Sequence, residues 1–250
     1  MILTIDIGNT YTKLRGYKGN ITVYQKDCIT DADTLKLMTR VKSLRNMHVN
    51  ICGIASVVPA VTKKWKKITS LWFKINPIII SNKIRLPIKL KVKNPDTLGA
   101  DRICNAVAGY LMFKGKENVI VADLGSANTF DVVLKNGDYT GGIITPGLDL
   151  LADSLYRKTA QLPKITVLNK PKSLIGNRTP IAIKSGVYFT FFESVNGIIK
   201  RIIKHYKKDF KIILTGGKAD IIKDEINADT VFIPAMVNKG ILQIFRYNGY

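Results

Sequence analysis

The chain has 250 residues, with 39 Lys or Arg against 18 Asp or Glu and a net charge of +21. Hydrophobic residues make up 46% and charged residues 23%, a balance that supports a substantial core and excludes a disordered chain. No apolar run approaches the roughly 18 residues of a bilayer span and no basic leader precedes the first apolar residues, so no membrane partner and no signal peptide are expected, and cytoplasmic residence is the default.

Segment 2–13, ILTIDIGNTYTK, is a short apolar run that ends at Asp6 and is followed at once by Gly8, Asn9 and Thr10. It reads as a buried strand closed by a turn. Glycine lets a backbone approach closely, and backbone N–H groups with small polar side chains suit the oxygens of a polyphosphate. Asp6 would repel a bare phosphate, but fits one if a cation such as Mg2+ lies between them. A plain β-hairpin with an Asn-Thr turn is the competing account.

Strands over Tyr11–Tyr17 and Ile21–Gln25 follow, around a Gly19-Asn20 turn. Asp33–Arg45 carries Leu35, Met38, Val41 and Leu44 at helical spacing, and Asn50–Val58 reads as a strand. Ala60–Leu71 is a helix with Val61, Ile68 and Leu71 inward, and Pro77–Ile80 a strand. Pro95 and Gly99 then break structure before a helix over Ile103–Phe113, which Asp101 and Arg102 would open. An acid in a first helical turn is favoured by the helix dipole, which is the structural account of Asp101.

Segment 119–131, VIVADLGSANTFD, repeats the opening pattern: an apolar run ends at Asp123, then come Gly125, Ser126, Asn128 and Thr129. Two copies about half a chain apart imply two similar halves. A hairpin over Thr129–Leu134 and Tyr139–Ile144, a turn at Gly141-Gly142 and a helix over Leu148–Arg157 come next. Pro163–Leu174 reads as loop. A long helix over Ile181–Tyr206 carries an apolar stretch, Val187–Ile199, that asks for a cover. A strand over Lys211–Thr215, a helix after Gly216-Gly217, a strand over Val231–Ile233 and a helix over Asn238–Tyr247 complete an α/β protein.

Cys28, Cys52 and Cys104 are widely spaced, giving neither a disulfide framework nor a zinc pattern. Thirty of the 39 basic residues are Lys, and they read as a scattered, solvated surface with local concentrations at Lys63–Lys67, Lys89–Lys93 and Lys200–Lys211. No nucleic-acid motif accompanies them, so no specific nucleic acid is expected. Weak polyanion binding at low salt follows from the charge alone.

Taken together, the segments 6–10 (DIGNT), 99–102 (GADR), 123–126 (DLGS), 141–147 (GGIITPG), 175–179 (IGNRT) and 214–217 (LTGG) resemble, in order and over nearly the whole chain, those of type III pantothenate kinases. The resemblance implies the acetate/sugar kinase and actin-like (ribonuclease H-like) fold in two duplicated α/β halves, 1–115 and 116–250, with ATP in the cleft between them. It implies ATP-dependent phosphorylation of pantothenate toward coenzyme A. ATP binding falls on Asp6, Ile7, Gly8, Asn9, Thr10, Tyr11, Thr12, Lys13 and Ser126, and substrate binding on Gly99, Ala100, Asp101, Arg102 and Thr179. Asp101 is the implied proton acceptor, Asp123 the implied ligand of potassium or ammonium, and Asp6 the implied contact to ATP-bound Mg2+. A homodimer is implied as well. Ser126 stands where the family usually has Thr, and Val92 where it usually has a Tyr of the pantothenate pocket. A non-catalytic nucleotide-binding regulator, or a kinase of the same fold for another small alcohol, is the alternative.

Overall fold

The computed structural model describes residues 1–31, 33–226 and 229–250. The chain divides into two units, one of Met1–Met112, Gly137–Tyr139 and Ala235–Tyr250, the other of Phe113–Asn136 and Thr140–Pro234.

In the first unit, β1 (Ile2–Ile7), β2 (Tyr11–Lys18) and β3 (Ile21–Ile29) lead to α1 (Thr34–Arg40), β4 (Ile51–Ser56), α2 (Pro59–Phe73), β5 (Ile78–Ile79), β6 (Lys89–Leu90) and α3 (Ala100–Met112). The sheet order is β3-β2-β1-β4-β5, with β1 antiparallel to β2 and parallel to β4. Asp33 caps α1, its carboxylate accepting from the Leu35 and Lys36 N–H groups at 2.8 and 3.1 Å. The helix expected through Arg45 breaks at Val41 into a 3-10 segment, Lys42–Asn46. Leu37, Val41 and Leu44 stay buried through the break, so the inward stripe survives the tighter winding.

Side chains alternate across β1. Leu3, Ile5 and Ile7 pack in one cluster with Leu37, Val41 and Leu44 and with Val61, Trp65 and Ile68 of α2. Thr4 and Asp6 therefore face the other side, where α3 and the chain's last helix lie. Gly53 of β4 is needed on that side, since a Cβ there would stand 2.7 Å from Cζ of Phe245 in the last helix.

The second unit contains β7 (Val119–Leu124), β8 (Ala127–Val133), most of β9 (Asp138–Pro146), α4 (Leu148–Lys158), α5 (Thr179–Tyr206), β10 (Lys211–Thr215) and β11 (Thr230–Phe232); the last helix, α6 (Met236–Tyr247), returns to the first unit. Its strands run β9-β8-β7-β10-β11, with β7 antiparallel to β8 and parallel to β10. That is the order of the first sheet, with β7 in the place of β1. Ile120, Ala122 and Leu124 pack against Phe130 of β8 and against Val187, Phe191 and Val195 of α5.

Several expectations are corrected here. Gly141 and Gly142 lie inside β9 rather than in a turn, with Gly141 at φ 108°. After Gly217 there is only a 3-10 turn, Ala219–Ile221. β6 escaped the sequence reading; it pairs in parallel with Asp138 and Tyr139. The apolar stretch of α5 needs no second subunit, because Val187, Phe191, Val195 and Ile199 are buried in the unit's own core. Among the described residues, no helix is long and apolar enough to cross a membrane.

Candidate active site

The β1–β2 turn is a stiff loop that presents polar groups. The Gly8 N–H donates to Tyr11 O at 3.0 Å. Thr30, just past β3, fastens the turn from the side: its hydroxyl donates to Gly8 O at 2.7 Å and its N–H to Thr10 O at 2.9 Å. Its oxygen also lies 3.0 Å from Oγ1 of buried Thr12. Asn9, Thr10 and Tyr11 are exposed and Ile7 is buried. Asp6 and Lys13 stand directly opposite each other across the strands, both half-buried, an opposite-charge pairing of the kind that stabilises antiparallel sheets.

Beneath them, the fully buried Asn238 of α6 ties the two strands together. Its amide donates to Thr4 O at 3.2 Å, Thr4 Oγ1 at 3.0 Å and Lys13 O at 3.1 Å.

Asp101 lies in the first turn of α3, half-buried, and its Oδ1 accepts from the Arg102 N–H at 2.8 Å. Gly99 leaves room for that carboxylate, since a Cβ there would collide with Oδ1. Ala100 points inward and Arg102 is half-buried. One turn on, the Cys104 thiol is fully buried; burial, then the negative charges of Asp6 and Asp101, push it well above the usual thiol range. Two carboxylates from distant parts of the sequence thus act on one sulfur, and Gly99, Ala100 and Arg102 accompany Asp101 to the same place. The close crossing of α3 and α6 fixes this arrangement, because a Cβ on Gly240 would stand 2.5 Å from the Cys104 carbonyl carbon.

The second unit repeats the turn. The Gly125 N–H donates to Ala127 O at 3.2 Å, Ser126 is exposed, and Asp123 is half-buried at the end of β7. Glycines crowd round it. The Gly147 N–H donates to Ser126 O at 3.1 Å, and a Cβ on Gly147 would stand 2.5 Å from the same oxygen. Gly216 has φ 91°, and a Cβ there would stand 2.6 Å from Asp123 Oδ1. Lys218 adds a cation: its N–H donates to Leu124 O at 2.9 Å and its Nζ to Asp149 Oδ1 at 2.8 Å. Buried Asn128 fastens β8 to β9, donating to Thr145 Oγ1 at 3.2 Å and Pro146 O at 3.0 Å.

Thr179 is exposed at the start of α5, beside a hollow of about 580 Å³ that Leu155, Leu162 and Gly176 also line. Val92 is half-buried just past β6. Thr30, Lys218 and Asn238 were missed by sequence reasoning, and Asn128, read as a polar group of the second turn, is instead buried as a fastener between strands. Only Asn238, a lone amide in the apolar stripe of a helix, carried a signal of its own.

Each turn joins a carboxylate, a tight glycine and exposed hydroxyl or amide groups, a set suited to phosphate oxygens and a hard cation. A family model described as type III pantothenate kinase matches residues 2–201. A type III pantothenate kinase of Sulfurihydrogenibium sp. is 36% identical over 264 residues, covering 99% of this chain and 100% of the relative. Among solved structures, a candidate 2-dehydro-3-deoxygalactonokinase from Sinorhizobium meliloti aligns with a TM-score of 0.61 at 10% identity, over 100% of this chain and 99% of its own. MreB 5 of Spiroplasma citri aligns at 0.53 and 11% identity, over 99% and 95%. At such identities these two likenesses concern the fold alone, which is that of the actin-like and sugar kinase proteins.

Proposed function

The chain belongs to the type III pantothenate kinase family, and from that premise we infer how its residues divide the reaction. It is a kinase that phosphorylates pantothenate with ATP in coenzyme A biosynthesis. Phosphoryl transfer asks a protein mainly for positioning and for neutralisation of charge. The segment Asp6–Lys13 holds ATP, with Asn9 and Thr10 donating to phosphate oxygens and Lys13 adding positive charge; Gly8, whose N–H is taken by Tyr11 O, lets the backbone come close to the phosphates. In the second unit Ser126 contributes a hydroxyl to the nucleotide. Asp101 accepts the proton of the substrate's primary hydroxyl as the new phosphorus–oxygen bond forms. Gly99, Ala100, Arg102 and Thr179 hold the substrate.

ATP-bound Mg2+ supplies positive charge to the phosphoryl oxygens. Asp6 would hold it, and one carboxylate suits an ion bound mainly through phosphates and water. Among the described residues, no group of three His, Cys, Asp or Glu stands together as a metal site. Asp123 would hold potassium or ammonium. The support is a hard carboxylate enclosed by backbone that a Cβ on Gly216 would disrupt.

The active form is a homodimer on this reading. It rests on the family and on apolar residues left exposed in the second unit, with Ile144 at 61% and Leu150 at 48%. Light scattering would give roughly twice the 27.8 kDa of the chain; a monomer at micromolar concentration overturns it.

The observation that supports the catalytic assignment is that the negative charges of Asp6 and Asp101 both bear on the Cys104 thiol, on the side of the sheet where α3 and α6 cross closely. The test is ADP release in the presence and absence of pantothenate. Release that depends on pantothenate and is lost in Asp101→Asn supports it; release indifferent to Asp101 removes the proton-acceptor role.

A further inference from the structure

Charge is spread unevenly along this chain. From Thr34 to Pro95, 62 consecutive residues contain fourteen Lys and Arg and no Asp or Glu. A uniform spread of the net charge would put only about five positive charges there. The lysines are therefore not scattered, as their composition alone suggested.

The fold places six of these fourteen on one surface. The inward sides of α1, its 3-10 extension and α2 are committed to the core through Leu37, Val41, Leu44, Val61, Trp65 and Ile68. The outward sides expose Lys36, Lys42, Arg45, Lys63, Lys66 and Lys67. Among the described residues, no ion pair uses any of these six. Lys63 stands three and four residues from Lys66 and Lys67 on one helix face, an arrangement of like charges that works against the helix unless counter-charge is bound. Asp6 and α3 lie on the opposite face of the same sheet, so this surface serves neither the nucleotide turn nor Asp101.

We propose that the outer face of α1 and α2 docks nucleic acid through its phosphate backbone, without reading sequence. The chemistry favours this occupant over the others that positive charge attracts. A helix that lies in a membrane needs its apolar side for the lipid, and that side of α2 is sealed in the core. A docked protein draws on aromatic and arginine anchors, whereas five of these six residues are lysines. Lysines held as point charges along rigid helices meet the requirement of phosphate contact, in which each neutralised phosphate releases counterions.

The test is fluorescence anisotropy of the full chain with fluorescein-labelled duplex and single-stranded oligonucleotides of about 24 nucleotides, titrated from about 50 mM KCl upward. Binding should weaken with salt with a log–log slope of about −3 or steeper. The variant Lys63→Glu/Lys66→Glu/Lys67→Glu should bind at least about tenfold more weakly and flatten the slope by about two, with pantothenate-dependent turnover unchanged. The variant Lys200→Glu/Lys204→Glu/Lys208→Glu makes the same charge change on and just past α5 and should stay within about twofold of the parent. Thermal melts of both variants show that the fold is intact. Equal losses in the two variants would mean that total charge, not this face, binds. Absence of oligonucleotide binding at the lowest salt overturns the proposal. Retention on phosphatidylserine vesicles at salt that releases the oligonucleotide also overturns it, in favour of a membrane.

Discussion

Oδ1 of Asp123 lies 2.6 Å from the point where a Cβ on Gly216 would stand, so the carboxylate and the glycine share one volume. Gly216 is also at φ 91°, where an L side chain is strained. Gly216→Ala should destabilise the protein by roughly 1–3 kcal/mol. Because Asp123 must move aside, the variant should also need more potassium for half-maximal activity. A melt and a potassium titration read the two effects separately. An unchanged potassium requirement in a destabilised protein would show that Gly216 serves the backbone turn and not the carboxylate.

Potassium or ammonium should support turnover well above sodium, with Asp123 as the ligand. Asp123→Asn keeps the shape but loses the charge, so it should weaken the cation dependence and raise the ATP concentration required. Rates measured in matched sodium and potassium buffers decide this; equal rates count against the assignment.

The second unit carries an acid-sensitive contact away from both turns. Glu225 accepts from Lys170 Nζ at 2.7 Å and from the Tyr188 hydroxyl. Burial pulls the Glu225 carboxyl up, but the hydrogen bonds from Lys170 and Tyr188 outweigh it and leave the group below its usual range. A depressed carboxylate contributes stability that is present above its unfolded pKa, about 4.3, and is lost as pH falls through the folded value. Tyr188→Phe should cost about 1.5–3 kcal/mol at pH 7, as for a hydrogen bond to a charged group. It should also make the fall in stability between about pH 5 and 3 shallower. Urea midpoints for both proteins across that range test it; parallel curves would show that Tyr188 does not hold the carboxylate.

The two turns were legible because their signals are local: an apolar run, an Asp at its end, a glycine two residues on. Asp6 and Asp123 stand near the ends of equivalent strands of two sheets that share the order of five strands, the second having β6 as an additional edge. What lies beneath Asp6 was not legible. Asn238 reaches Thr4 and Lys13 across more than 220 residues of sequence, and no local pattern encodes such a contact. Glycine chemistry was read as turn chemistry at Gly141, yet β9 runs straight through it. The apolar stripe of α5 was visible, but a periodic stripe says only that a cover exists. Here β7 and β8 supply that cover from within the chain.

Asp101 allows the sharpest test, because two substitutions separate its charge from its position. Asp101→Asn retains an oxygen that can accept from the Arg102 N–H, as Oδ1 does at 2.8 Å. Asn gives up only the attraction of a first-turn charge to the helix dipole, about 0.3–1 kcal/mol, so thermal stability should change little. Turnover should fall by roughly 100-fold or more, the range for loss of a general base. ATP affinity should persist, since the Asp6–Lys13 turn is untouched. Gly99→Ala leaves the carboxylate in place chemically but puts a methyl group where Oδ1 now sits. Only the end of a side chain must swing away, so this variant should also fold normally. Its turnover should fall because a displaced base no longer meets the substrate hydroxyl; a misplacement of about 1 Å is enough to cost about 100-fold. Melts, ATP binding and pantothenate-dependent ADP release on both variants complete the experiment. If Asp101→Asn melts normally and keeps most of its turnover, Asp101 serves only the first turn of α3. If Asp101→Asn is impaired and Gly99→Ala is not, the carboxylate acts from a rotamer other than the one seen here.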